Sequence, residues 1–369
     1  MSSVTSAFDR SNLPEDAMLS YIRETPDVLQ KILDERKEFS REFVEKFVRE
    51  KYRKVILIGS GTSYHGGLSV RSLMEKVLNV TVDANYPLLF MNFTSVFDQK
   101  TLAIGISQSG ESKSTLQGLE YARKHGCDTV SLSEKGPESV IAGYADIILR
   151  FNSGSIELSG PKTKGYQATM LDLIILALET GLAMNTISEE CYNGYIERIQ
   201  KTIDNLSNVI ENSIKWYYAN RDELMQSKRI IFVGYGNNYG NVLEGRLKTE
   251  EAVRIGIEGY EMEEFMHGIY HSINESVQIV YLAQQSEAFR ARAVRLRDFM
   301  HGWTPHEYLI GNCQQENVQN LSGFVDDEAF CIFEYIIPMQ ILAFHLSRDR
   351  GINCNIPAIP NFHSLMGSK

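Results

Sequence analysis

The sequence predicts an α/β protein made of two successive, doubly wound parallel sheets. Short runs rich in Val, Ile and Leu alternate with helical patterns, which reads as buried parallel strands and crossover helices. The alternation restarts halfway along the chain. Ile58-Gly-Ser-Gly-Thr62 is echoed by Val233-Gly-Tyr-Gly-Asn237 at the matching place, which indicates an internal duplication. A chain of 369 residues is long enough for each half to bury its own core.

Residues 1–16 read as loose and polar, and 18–48 as helical with a break at Pro26. The dense charge of 34–38 reads as a solvated helix face. Strands are expected at 54–59, 80–83, 102–106, 129–132 and 147–151. Between the first two, Val70, Leu73, Met74, Val77 and Leu78 share one helix face. A helical connection over 189–224 leads to strands at 229–234, 277–283 and 308–311, with a helix ending near Gly256. The apolar run 170–184 is interrupted by Asp172 and Glu179 and is too short to span a bilayer; it reads as a core helix, repeated at 333–346. These patterns divide the chain into a helical segment (1–47), a first domain (48–195), a second domain (196–350) and a tail (351–369).

Composition narrows the function. With 37 basic and 47 acidic side chains the net charge is -10, which disfavours nucleic acid or an anionic membrane as the main partner. The five cysteines are scattered, without a CxxC pair, and read as reduced thiols of a cytoplasmic protein rather than a metal site. Residues 1–16 do not have the pattern of a secretory signal. No cofactor or metal is called for.

The most informative stretch is Ser107-Gln108-Ser109-Gly110-Glu111-Ser112, which closes the strand at 102–106 and opens a helix carrying Leu116, Leu119 and Ala122, with Gly126 placed as its C-terminal stop. The free N–H groups and positive end of that helix point at Ser107, Ser109 and Ser112, a cradle suited to a phosphate monoester. Ser109 could instead merely cap the helix, but three serines and Gln108 exceed what a cap needs. Gly59-Ser60-Gly61 lacks the third glycine of a dinucleotide fingerprint, since Tyr64 stands there. Ser60, Thr62 and Ser63 continue the hydroxyl theme. In a doubly wound sheet both loops face one crevice.

In the second half Lys248 and Glu251 are three apart on one helix face. A carboxylate in reach of a carbon acid can take its proton, and His267 can exchange a proton near neutral pH, although taken alone these residues read more readily as an ordinary helical ion pair and a structural histidine. His65, His271 and His306 read as structural or surface residues.

Gly61-Thr62-Ser63-Tyr64, Ser107 to Ser112, and Leu243-Glu244-Gly245-x-Leu247-Lys248-x-x-Glu251 with His267-Gly268 resemble the isomerase part of glucosamine-6-phosphate synthase. That part is two sugar isomerase (SIS) domains of flavodoxin-like fold, and the likeness spans nearly the whole chain. The resemblance implies that Thr62, Ser63, Ser107, Gln108, Ser109 and Ser112 hold the 6-phosphate of a hexose. It implies that Glu251 moves a proton between C1 and C2, that Lys248 assists, and that His267 opens the ring. Glu157 falls where the family has a glutamate beside the substrate. The family's histidine comes from the neighbouring subunit, which implies a homodimer with shared sites.

Two departures choose among reactions. Nothing in the chain supplies the synthase's glutaminase domain. The synthase's tail lysine, which forms a Schiff base, is replaced near its place by His363, with lysine only at Lys369. An enzyme lacking that lysine can work on a sugar that already carries nitrogen, so the resemblance points to a deglycase or isomerase of glycated-amine hexose 6-phosphates. The alternatives are a deaminase or ammonia-dependent aminotransferase acting on fructose 6-phosphate or glucosamine 6-phosphate, and a non-catalytic sugar-phosphate sensor.

Overall fold

The computed structural model describes residues 10–98, 100–313, 317 and 319–368. The expected loose stretch at 1–9 and the terminal Lys369 lie outside the described residues. The chain opens with helices α1 (Ala17–Asp34) and α2 (Arg36–Glu50). The first half then runs β1 (Lys54–Ile58), α3 (Thr62–Leu78), β2 (Thr81–Asn85), α4 (Pro87–Phe93), β3 (Thr101–Ile106), α5 (Lys113–Lys124), β4 (Asp128–Ser133), β5 (Ile147–Arg150) and α6 (Lys164–Ala183). The 31-residue α7 (Glu189–Ala219) and short α8 (Arg221–Leu224) lead into the second half. It comprises β6 (Arg229–Gly234), α9 (Tyr239–Val253), β7 (Gly256–Glu261), α10 (Met262–Met266), β8 (Val277–Leu282), α11 (Glu287–Met300), β9 (Glu307–Ile310), β10 (Asn320–Leu321), α12 (Ile332–Tyr335) and α13 (Ile337–Asp349). The tail carries α14 (Phe362–Leu365).

All strand pairs are parallel, and the sheets are ordered β2-β1-β3-β4-β5 and β10-β9-β8-β6-β7. Counted within each half, both orders are 2-1-3-4-5, so the duplication read from the glycine loops extends to topology. The order reverses between the first and third strands, and the loops that follow them flank the ligand crevice of such sheets.

Two expectations are corrected. The helix does not break at Pro26: α1 runs through it and ends at Asp34, with Glu35 between it and α2. Ile22, Leu29 and Ile32 around the proline are buried against the core, and that packing outweighs the one backbone bond a proline removes. The helix expected to end near Gly256 ends at Val253, with Arg254 left-handed at φ 62, and Gly256 starts β7 instead. The sequence Gly-Ile-Glu-Gly-Tyr-Glu has little strand signal because β7 is an edge strand and only Ile257 is buried.

Helix α6 is buried almost all round and is, among the described residues, the one helix long and apolar enough to cross a membrane; here it is packed inside the protein. The halves meet where α3 crosses α9. At Gly240 a Cβ atom would lie 2.1 Å from Ser69 Oγ and 2.6 Å from the His65 carbonyl oxygen, so only glycine permits this approach. The crossing carries the first-strand loops of both halves to one junction.

Asp172 sits fully buried in α6, and burial raises its carboxyl pKa well above the ordinary value, only partly offset by the backbone of Asn152. The folded state therefore keeps a proton that the unfolded chain releases above about pH 4, so this group's contribution to stability falls as pH rises from there. Asp172→Asn should raise the melting temperature relative to the parent, by an increment that grows between pH 4 and pH 8. A constant increment across that range would contradict the assignment.

Candidate active site

The six residues of β3 are buried, and the chain turns sharply after them, with Gly110 N–H donating to the Ser107 carbonyl at 2.9 Å. Ser107 Oγ accepts from Ser112 N–H at 3.4 Å and Ser109 Oγ from Glu111 N–H at 3.3 Å, so these hydroxyls brace the loop. Ser112 stands at the N-cap of α5 but makes no side-chain cap bond; Thr115 Oγ1 donates to its hydroxyl at 3.1 Å. The loop thus keeps polar groups at the positive end of a 12-residue helix, where an anion is stabilised. Ser63 lies in the first turn of α3, on the loop leaving β1, which pairs directly with β3. Gln108 reaches the other way. Its Nε2 donates to Glu134 Oε1 at 2.7 Å, and its amide packs on Gly165, where a Cβ would come within 2.3 Å of Nε2.

Across the half-to-half junction, one buried carboxylate gathers the rest. Glu244, one turn before Lys248 on α9, accepts from Thr62 Oγ1 at 2.9 Å and pairs with His65 Nδ1 at 2.7 Å and with Lys248 Nζ at 3.5 Å. Lys248 Nζ also lies 2.6 Å from Glu251 Oε2. Burial pushes the Glu244 carboxyl up, but Lys248 and then His65 and Thr62 outweigh it and hold it below the usual carboxylate value. Burial likewise works against the Lys248 ammonium, but Glu244 and Glu251 outweigh it and raise its pKa, so Lys248 is a fixed cation and not a proton donor near neutral pH. The Glu251 side chain is 38% exposed while Glu244 and Lys248 are buried. Only the outer carboxylate of this helix face can reach a ligand.

Glu157, in the loop from β5 to α6, is buried at the start of α6: Oε1 accepts from Thr163 N–H and hydroxyl at 2.6 and 2.7 Å, and Oε2 from Gly165 N–H at 3.1 Å. It also acts electrostatically on Lys248. Contacts therefore run from the serine loop through Gln108 and Gly165 to Glu157. His267 follows α10 and is exposed; among the described residues its side chain contacts none of these groups within the chain. His363 is exposed on α14, with Nδ1 2.9 Å from Ser368 Oγ. The tail nonetheless returns to the site: Ser368 carbonyl accepts from Lys113 N–H at 3.2 Å, and Arg254 donates to the Ile356 carbonyl at 2.5 Å.

Sequence reasoning missed Glu244, His65 and Glu134 as parts of this constellation. The spacing Glu244, Lys248, Glu251 (i, i+4, i+7) marks one helix face and could have singled out Glu244. No pattern could have paired it with His65, 179 residues away. His271 is exposed, and His306 pairs with Glu223 at 2.6 Å, away from the site.

Comparison with known proteins agrees with the architecture. The SIS domain family model matches residues 49–179. A Clostridium difficile 630 structure described as a phosphosugar isomerase is 34% identical, with a TM-score of 0.89 over 95% of this chain and 98% of its own. A Salmonella typhimurium LT2 structure described as a sugar-binding protein is also 34% identical, with a TM-score of 0.80 over 88% of this chain and 98% of that one. The glutamine–fructose-6-phosphate aminotransferase (isomerizing) of Thermococcus kodakarensis is 27% identical over 343 residues, 90% of this chain and 55% of that protein. The chain spans about half the length of the curated relatives it matches. The fold thus defines a two-sheet α/β protein, and the chain belongs to the SIS-domain phosphosugar isomerase family.

Removing Glu244 leaves its buried partners uncompensated, so Glu244→Leu should cost about 3–5 kcal/mol in urea unfolding. His65→Asn, whose amide keeps a donor near the Nδ1 position, should cost clearly less than His65→Leu in the same measurement.

Proposed function

We propose that the protein is a deglycase that cleaves a glycated-amine hexose 6-phosphate to glucose 6-phosphate and a free amine. The observation that carries this reading is the partly exposed Glu251 carboxylate, held 2.6 Å from a buried, fixed ammonium on a helix docked against α3, the helix that follows β1. Ser63, Ser107, Gln108, Ser109 and Ser112 bind the 6-phosphate at the head of α5, and Thr62 contributes through Glu244. Lys248 assists by fixing Glu251 at the edge of the sugar, and Glu157 by holding the start of α6. His267 of the partner subunit opens the ring, in a homodimer with shared sites. Glu251 then transfers a proton between C1 and C2, with the sugar's own nitrogen stabilising the enaminol. The imine that results takes up water, breaks its carbon–nitrogen bond and leaves as aldose and amine. The tail lysine of the synthase is not needed for this sequence, which agrees with His363 near its place. The setting for this chemistry is a cytoplasmic enzyme.

The names of the curated relatives favour a second reading, an isomerase or aminotransferase on fructose 6-phosphate; a deaminase of glucosamine 6-phosphate is its variant on the same scaffold. Incubation with 6-phosphorylated glycated amino acids and assay of released glucose 6-phosphate separates the two. Release supports the deglycase, whereas ammonia-dependent formation of glucosamine 6-phosphate alone would replace it.

Glu251→Gln should lower kcat by about 10²–10⁴ and abolish exchange of the C2 proton with solvent, while hexose 6-phosphate binding by calorimetry persists. Binding without exchange in the parent protein would instead indicate a sensor. Mixing inactive Glu251→Gln and His267→Ala proteins after subunit exchange should restore about a quarter of parent activity, because half the dimers then hold one intact site. No restoration would contradict the shared site.

A further inference from the structure

We propose that Glu134 is the positioning residue of the phosphate cradle: it clasps Gln108 at two points and so holds the serine loop in the shape that receives the sugar's phosphate. This rests on the reading of the serine loop as the phosphate site, and it holds whichever reaction follows. Glu134 is buried directly after β4, the strand that pairs with β3. Its N–H donates to the Gln108 carbonyl at 2.9 Å, and its Oε1 accepts from Gln108 Nε2 at 2.7 Å. Ser153 Oγ donates to the same carboxylate oxygen at 3.2 Å and steadies it. Gly165 closes the clasp from another side, since a Cβ there would lie 2.3 Å from Nε2 and 2.8 Å from the amide carbon.

The sheet order gives the clasp its consequence. β4 lies on the side of β3 away from β1, so the Gln108 carbonyl is drawn away from the crevice between β1 and β3. In a trans peptide the Ser109 N–H shares that plane and points the opposite way, toward the side of β1 and Ser63. Among the described residues that N–H has no acceptor. A donor left open on the crevice side, beside a helix N-terminus, suits an anion, and its direction is set by a bond on the other side. The rest of the loop is braced from the same direction: Ile141 N–H donates to the Gly110 carbonyl at 3.0 Å, and Lys135 Nζ lies 2.6 Å from Glu111 Oε1. Glu134 alone among these braces grips one residue by main chain and side chain at once. Without its carboxylate the Gln108 side chain regains its rotamers, and ordering the loop again on binding weakens affinity.

The test measures Kd for glucose 6-phosphate by calorimetry in the full chain. Glu134→Leu should weaken binding about tenfold, the scale of one hydrogen bond to a charged group. Glu134→Gln keeps an oxygen acceptor at that place and should stay within about threefold of the parent. In a Gln108→Leu background, Glu134→Leu should add less than about twofold, because the carboxylate then has no amide to hold. Gly165→Ala suits a helix but crowds the Gln108 amide, so it should reproduce the loss with Glu134 intact; it decides the matter if Glu134→Leu does not fold. An unchanged Kd in Glu134→Leu or Gly165→Ala, an equal loss in Glu134→Gln, or losses that add in the double variant overturn the assignment. A parent protein that binds neither glucose 6-phosphate nor inorganic phosphate overturns the cradle reading itself, and this role with it.

Discussion

The molecule is organised around the Glu244 carboxylate. It is buried and ionised, so it has to be surrounded by donors, and those donors come from both halves of the chain: Thr62 and His65 from α3, Lys248 from its own helix. Satisfying it forces α3 and α9 together, which the glycine at 240 allows. The same contact fixes Lys248, and Lys248 in turn fixes Glu251, the only one of the three that meets solvent. A stability element and the candidate acid–base group are therefore parts of one charge network.

The two halves share a strand order but not a role. In the first, the crevice between the first and third strands is lined by serines. In the second, the corresponding loop engages a carboxylate of the protein itself: the buried Asp326 accepts from Gln285 N–H at 2.9 Å and Tyr335 hydroxyl at 3.0 Å, and pairs with Arg290. An internal carboxylate thus stands where an external anion would otherwise be drawn to the start of α11. The second half contributes its first helix, α9, to the crevice of the other.

Much of the fold was legible because buried parallel strands are continuous apolar runs. β1, β3, β4, β6 and β8 are buried along nearly their whole length and were read within a residue or two. β7 and β10 were missed because edge strands are half-buried or short and carry no such run. Pro26 misled for a related reason, since local propensity is weak against a face packed into the core.

Local order along the chain by itself determined the serine loop at the head of α5, the placement of Lys248 and Glu251 on one helix face, and the repeat of the strand–glycine turn, because each depends on spacing over a few residues. Tertiary structure alone decided that Glu244 joins His65 and that Glu157 engages the start of α6. Those outcomes depend on which charges burial brings together. That is a property of groups up to 179 residues apart, carried by no local pattern.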